Sequence, residues 1–378
     1  MVRRVVGQPP VLPGYTYVRP LGSGGFADVF LYEQDMPRRV VAVKVLVDDA
    51  INPDVLTTFN READILARLS AHPAIVTIYQ ASISADGRPY FVMEFCPDNM
   101  SNQYKRGPMP VQTVLDAGVR VAAALETAHR SGVLHRDIKP SNVLITTLGT
   151  PALADFGIAA ALTGADEQSK TIAMSVPWSA PEVIVGQVAG NVATEVYSLG
   201  ATIYTMLAGR APYEPETGER LPRAQLQERT LTKKYVPTGR TDLVPRLHDL
   251  LARALSKDAS QRFGSMLELA QELQRAQIDH GLPPTAIEVV DPSWASAAVQ
   301  ADEGDDVRRA PVISTVNANS RRAARAQTLA SAQRQAALER EPAAPARSSR
   351  KAALIGAAVG GGAVALVAIA VVAAVLGS

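Results

Sequence analysis

Apolar and polar positions alternate along the first part of the chain, at Val29-Phe-Leu-Tyr and Val40-Val-Ala-Val-Lys-Val-Leu-Val. They do so again at Ile75-Val-Thr-Ile-Tyr and Tyr90-Phe-Val-Met-Glu-Phe. Short runs of this kind, rich in β-branched and aromatic residues, predict strands. Between the second and third run, Val55 to Leu69 carries Leu56, Phe59, Ile65, Leu66 and Leu69 at helical spacing. That spacing predicts one amphipathic helix. Beyond Pro110 the period lengthens, and helices are predicted over 111–131, 196–208, 243–255 and 266–276. The pattern is α+β, a strand-rich lobe holding one helix and then a larger helical lobe, together spanning about Tyr15 to Arg275.

Outside that span the pattern changes. Residues 1–14 form an N-terminal extension with no long apolar run after its arginines, so a cleaved leader is not expected. Residues 276–351 hold prolines, an acidic patch (Asp302-Glu-Gly-Asp-Asp) and a stretch from Arg321 to Arg340 rich in arginine, alanine and glutamine. They are expected to be a disordered linker, with Arg321 to Arg340 as coil or a transient solvated helix. Residues 352–376 are an uncharged run, long enough at about 1.5 Å per residue to cross a ~30 Å hydrocarbon core with some tilt. A transmembrane helix is expected there. Arg347, Arg350 and Lys351 flank its N-terminal end, which places the preceding domain on the cytosolic side of the cell membrane. Gly377 and Ser378 alone would lie beyond it, leaving no outer part to bind a ligand. Gly356 and Gly360 would let two such helices pack as a homodimer.

At 378 residues the chain suits one bilobal domain plus these extensions. A net charge of +1 with 20% charged residues gives no reason to expect a nucleic-acid partner. Cys96 is the single cysteine, which rules out an internal disulfide and fits a reducing compartment.

Candidate chemistry begins at Leu21-Gly22-Ser23-Gly24-Gly25-Phe26-Ala27-Asp28-Val29. Glycines here let the backbone approach a polyphosphate and aim N–H groups at it. The loop leads into another strand, which separates it from dinucleotide-binding turns that lead into a helix. An ordinary hairpin remains the alternative for this motif alone. Val41-Ala42-Val43-Lys44 then ends on a lysine, and Arg61-Glu62-Ala63 sets a carboxylate on the amphipathic helix. A lysine held by such a carboxylate can meet the α- and β-phosphates. The densest stretch is His135-Arg136-Asp137-Ile138-Lys139-Pro140-Ser141-Asn142, followed by Asp155-Phe156-Gly157. Phosphoryl transfer needs a carboxylate to orient the acceptor hydroxyl, and ligands for Mg²⁺. Asp137 suits the first role, Asn142 and Asp155 the second, and Lys139 can reach the transferring phosphate. Singly, each could be a cap or turn residue.

In this order and spacing the residues resemble the eukaryotic-like serine/threonine protein kinases, in their bacterial membrane-linked branch. The resemblance implies a bilobal kinase fold, and ATP and Mg²⁺ (Mn²⁺ as a substitute) as cofactors. It implies protein substrates, this chain among them. By that likeness Leu21, Gly22, Ser23, Gly24, Gly25, Phe26 and Val29 cover the nucleotide, beside Ala42. Lys44 pairs with Glu62, Met93 is the gatekeeper, and the main chain of Glu94 and Cys96 holds adenine. Asp137, Lys139, Lys44 and Glu62 are the catalytic set, and Asn142 and Asp155 the metal ligands. Glu182 of Ala180-Pro181-Glu182 forms a buried ion pair with Arg262, and Lys139 marks the serine/threonine branch.

Three positions depart from the family. Ala27 replaces the third glycine. Glu195 stands where an aspartate usually braces the catalytic loop. Met174-Ser175-Val-Pro-Trp178-Ser stands where a glycine-threonine pair is commoner, and Ser175 can assume that threonine's hydroxyl role. Arg136 beside the catalytic aspartate suggests a phosphate on the activation segment, at Thr163, Ser169, Thr171 or Ser175, with Thr171 favoured. Two other readings stay open, a membrane-bound pseudokinase scaffold and a kinase of small molecules.

Overall fold

A computed structural model of the chain describes residues 6–24, 27–47, 59, 63–156, 175–217, 219 and 221–290. The first lobe is a five-stranded antiparallel sheet. Its strands are β1 (Tyr15–Ser23), β2 (Ala27–Gln34), β3 (Arg39–Leu46), β4 (Ile78–Ile83) and β5 (Pro89–Glu94), in the order β1-β2-β3-β5-β4. Alternation sorts β3 as predicted. Val41, Val43 and Val45 join Phe30, Tyr32, Tyr90 and Val92 in a cluster on one face, which leaves Ala42, Lys44 and Leu46 on the other. The predicted helix is described at Phe59 and over 63–69, termed α1 here. Its Phe59, Leu66 and Leu69 are buried, with Phe59 tilted on Phe91 at 4.7 Å between ring centroids.

The second lobe is helical. It comprises α2 (Met100–Tyr104), α3 (Val111–Arg130), α4 (Pro181–Ile184), α5 (Val192–Ala208), α6 (Arg223–Thr232), α7 (Pro245–Ala254) and α8 (Met266–Asp279). A small sheet of β6 (Asp98–Asn99), β7 (Val143–Ile145) and β8 (Pro151–Leu153) lies on its cleft side. Its core is built on α3, α5, α7 and α8, whose Leu115, Leu125, Leu199, Ile203, Leu247, Leu251 and Leu273 are all essentially inaccessible. Gly200 makes this packing possible: a Cβ there would sit 2.7 Å from that of Ala254, so only glycine lets α5 touch α7. Helix α5 starts on an Asn191–Thr194 capping box and stops at Gly209, left-handed at φ 73°.

Two differences from the sequence pattern have clear causes. The apolar run beginning at Ile75 becomes strand only from Ile78, because residues 74–76 bond to β8 instead. Val76 N donates to Leu153 O (3.0 Å), and Leu153 N donates to Ala74 O (2.8 Å). Residues 276–290, expected to belong to the linker, are part of the folded domain. Helix α8 runs to Asp279, and the chain as far as Val290 is held to the domain. Thr285 Oγ1 donates to Asp116 (2.9 Å), Val290 N donates to Thr127 Oγ1 (3.1 Å), and Leu282 and Ile287 pack on the core. The polar anchors are single hydrogen bonds to residues distant in sequence, a type of contact with no hydrophobic period to reveal it. No helix among the described residues is long and apolar enough to cross a membrane. The expected span 352–376, its Gly356–Gly360 pair and the linker beyond residue 290 lie outside those residues.

Candidate active site

The loop after α3 is held in an unusual backbone conformation by its neighbours. Arg136 is left-handed at φ 66°, a region costly for a residue with a Cβ. Its amide donates to Glu195 Oε1 at 2.6 Å, and the other oxygen of that buried carboxylate lies 2.6 Å from His129 Nε2. The longer side chain of glutamate thus braces the loop and reaches α3 as well. His135 is fully buried between Ala154 and Phe156. Its Nδ1 accepts the amide of Asp137 (3.2 Å) and its Nε2 donates to Ala154 O (2.9 Å). Burial keeps this imidazole neutral by pushing its pKa down, against the carboxylates of Glu195, Asp137 and Asp155.

This frame presents Asp137. Its Oδ2 accepts Lys139 Nζ at 2.6 Å and its Oδ1 accepts Ser175 Oγ at 2.7 Å, while Lys139 also reaches Ser175 Oγ at 3.0 Å. Asn142, at the end of a 3₁₀ turn over Pro140–Asn142, donates from Nδ2 to Asp137 O (2.8 Å) and Oδ2 (3.1 Å). Its own main chain ties to Ala154 (2.9 Å), so the loop and the segment leading to Asp155 are registered to each other. Ser175 Oγ therefore sits directly on the Asp137 carboxylate.

Lys44 and Asp155 meet across the cleft, Nζ to Oδ1 at 2.6 Å. Asp155 is also left-handed, at φ 62°. The surrounding protein pushes its carboxyl up, but Lys44, by charge and hydrogen bond, and then the more distant Lys139 hold it below the usual carboxylate range. Glu62, expected to share Lys44, lies outside the described residues, as do Gly25 and Phe26.

The remaining described residues gather on either side of these groups. Val29, Ala42 and Met93 lie near one another in the sheet, with Val29 opposite Lys44 and Ala42 opposite Met93. Val76, Ala152 and Ala154 cluster with Met93, Cys96 and Leu144 opposite that roof. Leu144 was not singled out from the sequence, although its place beside Asn142 could have marked it. Burial pushes the Cys96 thiol up to about 12, so it is an apolar contact and not a nucleophile. Leu21, Gly22, Ser23 and Gly24 complete the roof, with Gly24 N donating to Ala27 O at 2.8 Å. Nothing lies within 4 Å of where a Cβ on Gly22 would stand, which leaves the space a close-lying phosphate needs. The oxygens of Asp155 and Asn142 suit a hard cation such as Mg²⁺, which takes one or two carboxylates and completes its shell with water and phosphate. The residues fit both groups.

The segment before α4 is anchored by Glu182 and Arg262. Arg262 is buried, and its two terminal nitrogens meet the two carboxylate oxygens at 2.6 and 2.9 Å. Arg262 also donates to Ala193 O and Ser256 O, satisfying the rest of the guanidinium.

The profile of the protein kinase domain matches residues 15–275. The serine/threonine-protein kinase PknK of Mycobacterium tuberculosis is 39% identical over 272 residues, covering 71% of this chain and 24% of that protein. PrkC of Bacillus subtilis, another serine/threonine-protein kinase, is 31% identical over 271 residues, covering 69% of this chain and 40% of that protein. The chain thus spans well under half of these curated relatives. The crystal structure of the PknI kinase domain of Mycobacterium tuberculosis superposes with a TM-score of 0.51 at 27% identity, covering 72% of this chain and 99% of that one. With the profile covering most of its length and the site geometry in place, the chain belongs to the protein kinase domain family.

Proposed function

We propose that the chain transfers the γ-phosphoryl group of ATP to serine and threonine hydroxyls of proteins, itself included. The observation that carries this is Asp137, held between Lys139, Ser175 and Asn142 with one carboxylate edge on each side. An acceptor hydroxyl replacing Ser175 Oγ at Oδ1 would be oriented toward the γ-phosphate, its proton accepted by Asp137 as the new phosphorus–oxygen bond forms and the bond to the β–γ bridging oxygen breaks, releasing ADP. Lys139 would neutralise charge on the transferring group, and Lys44 would hold the α- and β-phosphates. Asn142 and Asp155 would hold Mg²⁺ (or Mn²⁺), which when bound offsets phosphate charge. Lys44, Asp137, Asn142 and Asp155 are all present, so nothing favours the pseudokinase scaffold.

The test is Asp137→Asn. A positioned base contributes about 10²–10⁴-fold to rate and little to ground-state binding, so turnover should collapse while ATP affinity stays near wild type. A folded variant keeping more than about a third of wild-type turnover would refute the assignment.

We extend the proposal to the cell membrane, with residues 352–376 as a single-pass anchor, the kinase cytoplasmic, and Gly356 with Gly360 pairing two copies. Fractionation beside a chain ending at Ala346 tests it: the full chain should resist a high-salt wash that strips the shorter one. Of the proposed phosphate sites, Ser175 is engaged with Asp137, while Thr163, Ser169 and Thr171 lie outside the described residues. Thr171 remains the proposed site. Mass spectrometry of protein made with and without Asp137→Asn tests it, since self-phosphorylation there should vanish in the variant.

A further inference from the structure

Residues 6–12 precede β1, and the chemistry above makes no use of them. They cover the face of the five-stranded sheet opposite the cleft, the face carrying Phe30, Tyr32, Val43 and Val45. Leu12 is buried in that cluster, and Val6 packs at its edge. Three main-chain anchors hold the segment. Tyr32 Oη donates to Pro10 O (2.6 Å), Arg88 Nη2 donates to Gln8 O (3.0 Å), and Gly7 N donates to Asp28 Oδ2 (2.9 Å). Pro9, Pro10 and Pro13 stiffen the segment, so less entropy is lost in docking it.

The Asp28 anchor stands apart from the other two. Asp28 is 2% exposed, an unusual place for an acidic residue in a sheet. It directly follows Ala27, whose carbonyl closes the base of the glycine loop on Gly24, and it pairs in register with Ser23. Ala27 and Val29 point into the cleft while Asp28 between them points away from it, as pleating requires. The carboxylate is therefore fastened to the back of the residues that roof the nucleotide. Gly7 is fitted to it: a Cβ there would lie 3.0 Å from Asp28 Oδ2 and would force the two apart.

We infer that residues 6–12 are a backplate of the nucleotide site and that Asp28 is a positioning residue, setting the height of the glycine loop over ATP. The inference rests on the proposed use of ATP at that loop. It predicts a selective effect. Loosening the backplate weakens nucleotide binding and leaves acceptor binding and transfer alone, because the catalytic loop hangs from the other lobe.

The experiment is steady-state kinetics of the full chain with a peptide acceptor, alongside equilibrium titration with a fluorescent ATP analogue. The variants are Asp28→Ala, Gly7→Ala and Asp28→Asn. Losing a hydrogen bond to a charged group should raise the KM for ATP about five- to tenfold in the first two, with peptide KM and kcat within about twofold. Asp28→Asn keeps an acceptor oxygen and should recover most of the loss. An ATP KM within about twofold of wild type in Asp28→Ala overturns the inference. So does a fall in which kcat and both KM values follow the lost folded fraction, which marks a purely structural role. If Asp28→Ala does not fold, an unchanged ATP KM in Gly7→Ala overturns it equally. A wild-type chain that turns over no ATP is the failure of the kinase proposal instead. Unequal analogue binding by wild type and variant would then still support the backplate, and equal binding would overturn it.

Discussion

The two lobes are stabilised in different ways, and the proposed reaction is divided between them accordingly. The helical lobe packs four helices around side chains that are almost wholly inaccessible, and it holds the catalytic loop through the buried Glu195. The sheet lobe has a smaller cluster on its outer face, an exposed β1, and a covering made by the N-terminal segment. Acceptor orientation tolerates little error, and it sits on the larger core. The proposed nucleotide roof, which would have to release product, sits on the thinner element. Strain follows the same division. Both non-glycine residues at positive φ among those described, Arg136 and Asp155, lie where the catalytic lobe over-determines the backbone.

The largest test of this contrast is Arg262→Ala. It leaves the partly buried Glu182 without its partner and removes a fully buried guanidinium, and breaking such a pair costs up to about 3–5 kcal/mol. Denaturant unfolding should show most of the domain's stability gone, and a loss under about 1 kcal/mol would mean the pair is not a fastening of the helical lobe.

Next comes a matched pair. Leu247→Ala in the helical core should cost about 4 kcal/mol and Leu12→Ala in the sheet covering about 2 kcal/mol, because the thinner layer can relax into the gap. Equal shifts of the unfolding midpoint would remove the distinction between the lobes.

Glu195→Asp tests the brace. The shorter arm cannot serve both Arg136 and His129 on this backbone, so kcat should fall about tenfold with ATP KM nearly unchanged. A change confined to ATP KM would place the effect in the wrong lobe.

The smallest effect is a pH dependence. Burial lowers the pKa of His135 and of His72, so the unfolded chain takes up protons first as pH falls through about 6.5. Stability is therefore full above that pH and declines below it. His72 also accepts the Ala74 amide at Nδ1 and lies 2.6 Å from Glu288 O through Nε2, so its protonation breaks the first bond. In His72→Gln the loss between pH 7.5 and 5.5 should be smaller by about 1 kcal/mol, and identical slopes would exclude His72 as a contributor.

Much of this was legible in the chain itself. Periods of two and of 3.6 residues locate both lobes, because a sheet face and a helix stripe must be apolar to be buried. The stretch from His135 to Asn142 announces its chemistry because phosphoryl transfer needs those groups in close succession. What the linear pattern could not decide depends on partners distant in sequence. Lys44 meeting Asp155, and Glu195 spanning both Arg136 and His129, are choices among several carboxylates that only packing makes. The docking of residues 6–12 and 282–290 was equally hidden. Both are fastened by single hydrogen bonds to residues distant in sequence, and such contacts have no periodicity, so only the tertiary structure shows that the folded unit extends past both ends of the hydrophobic pattern.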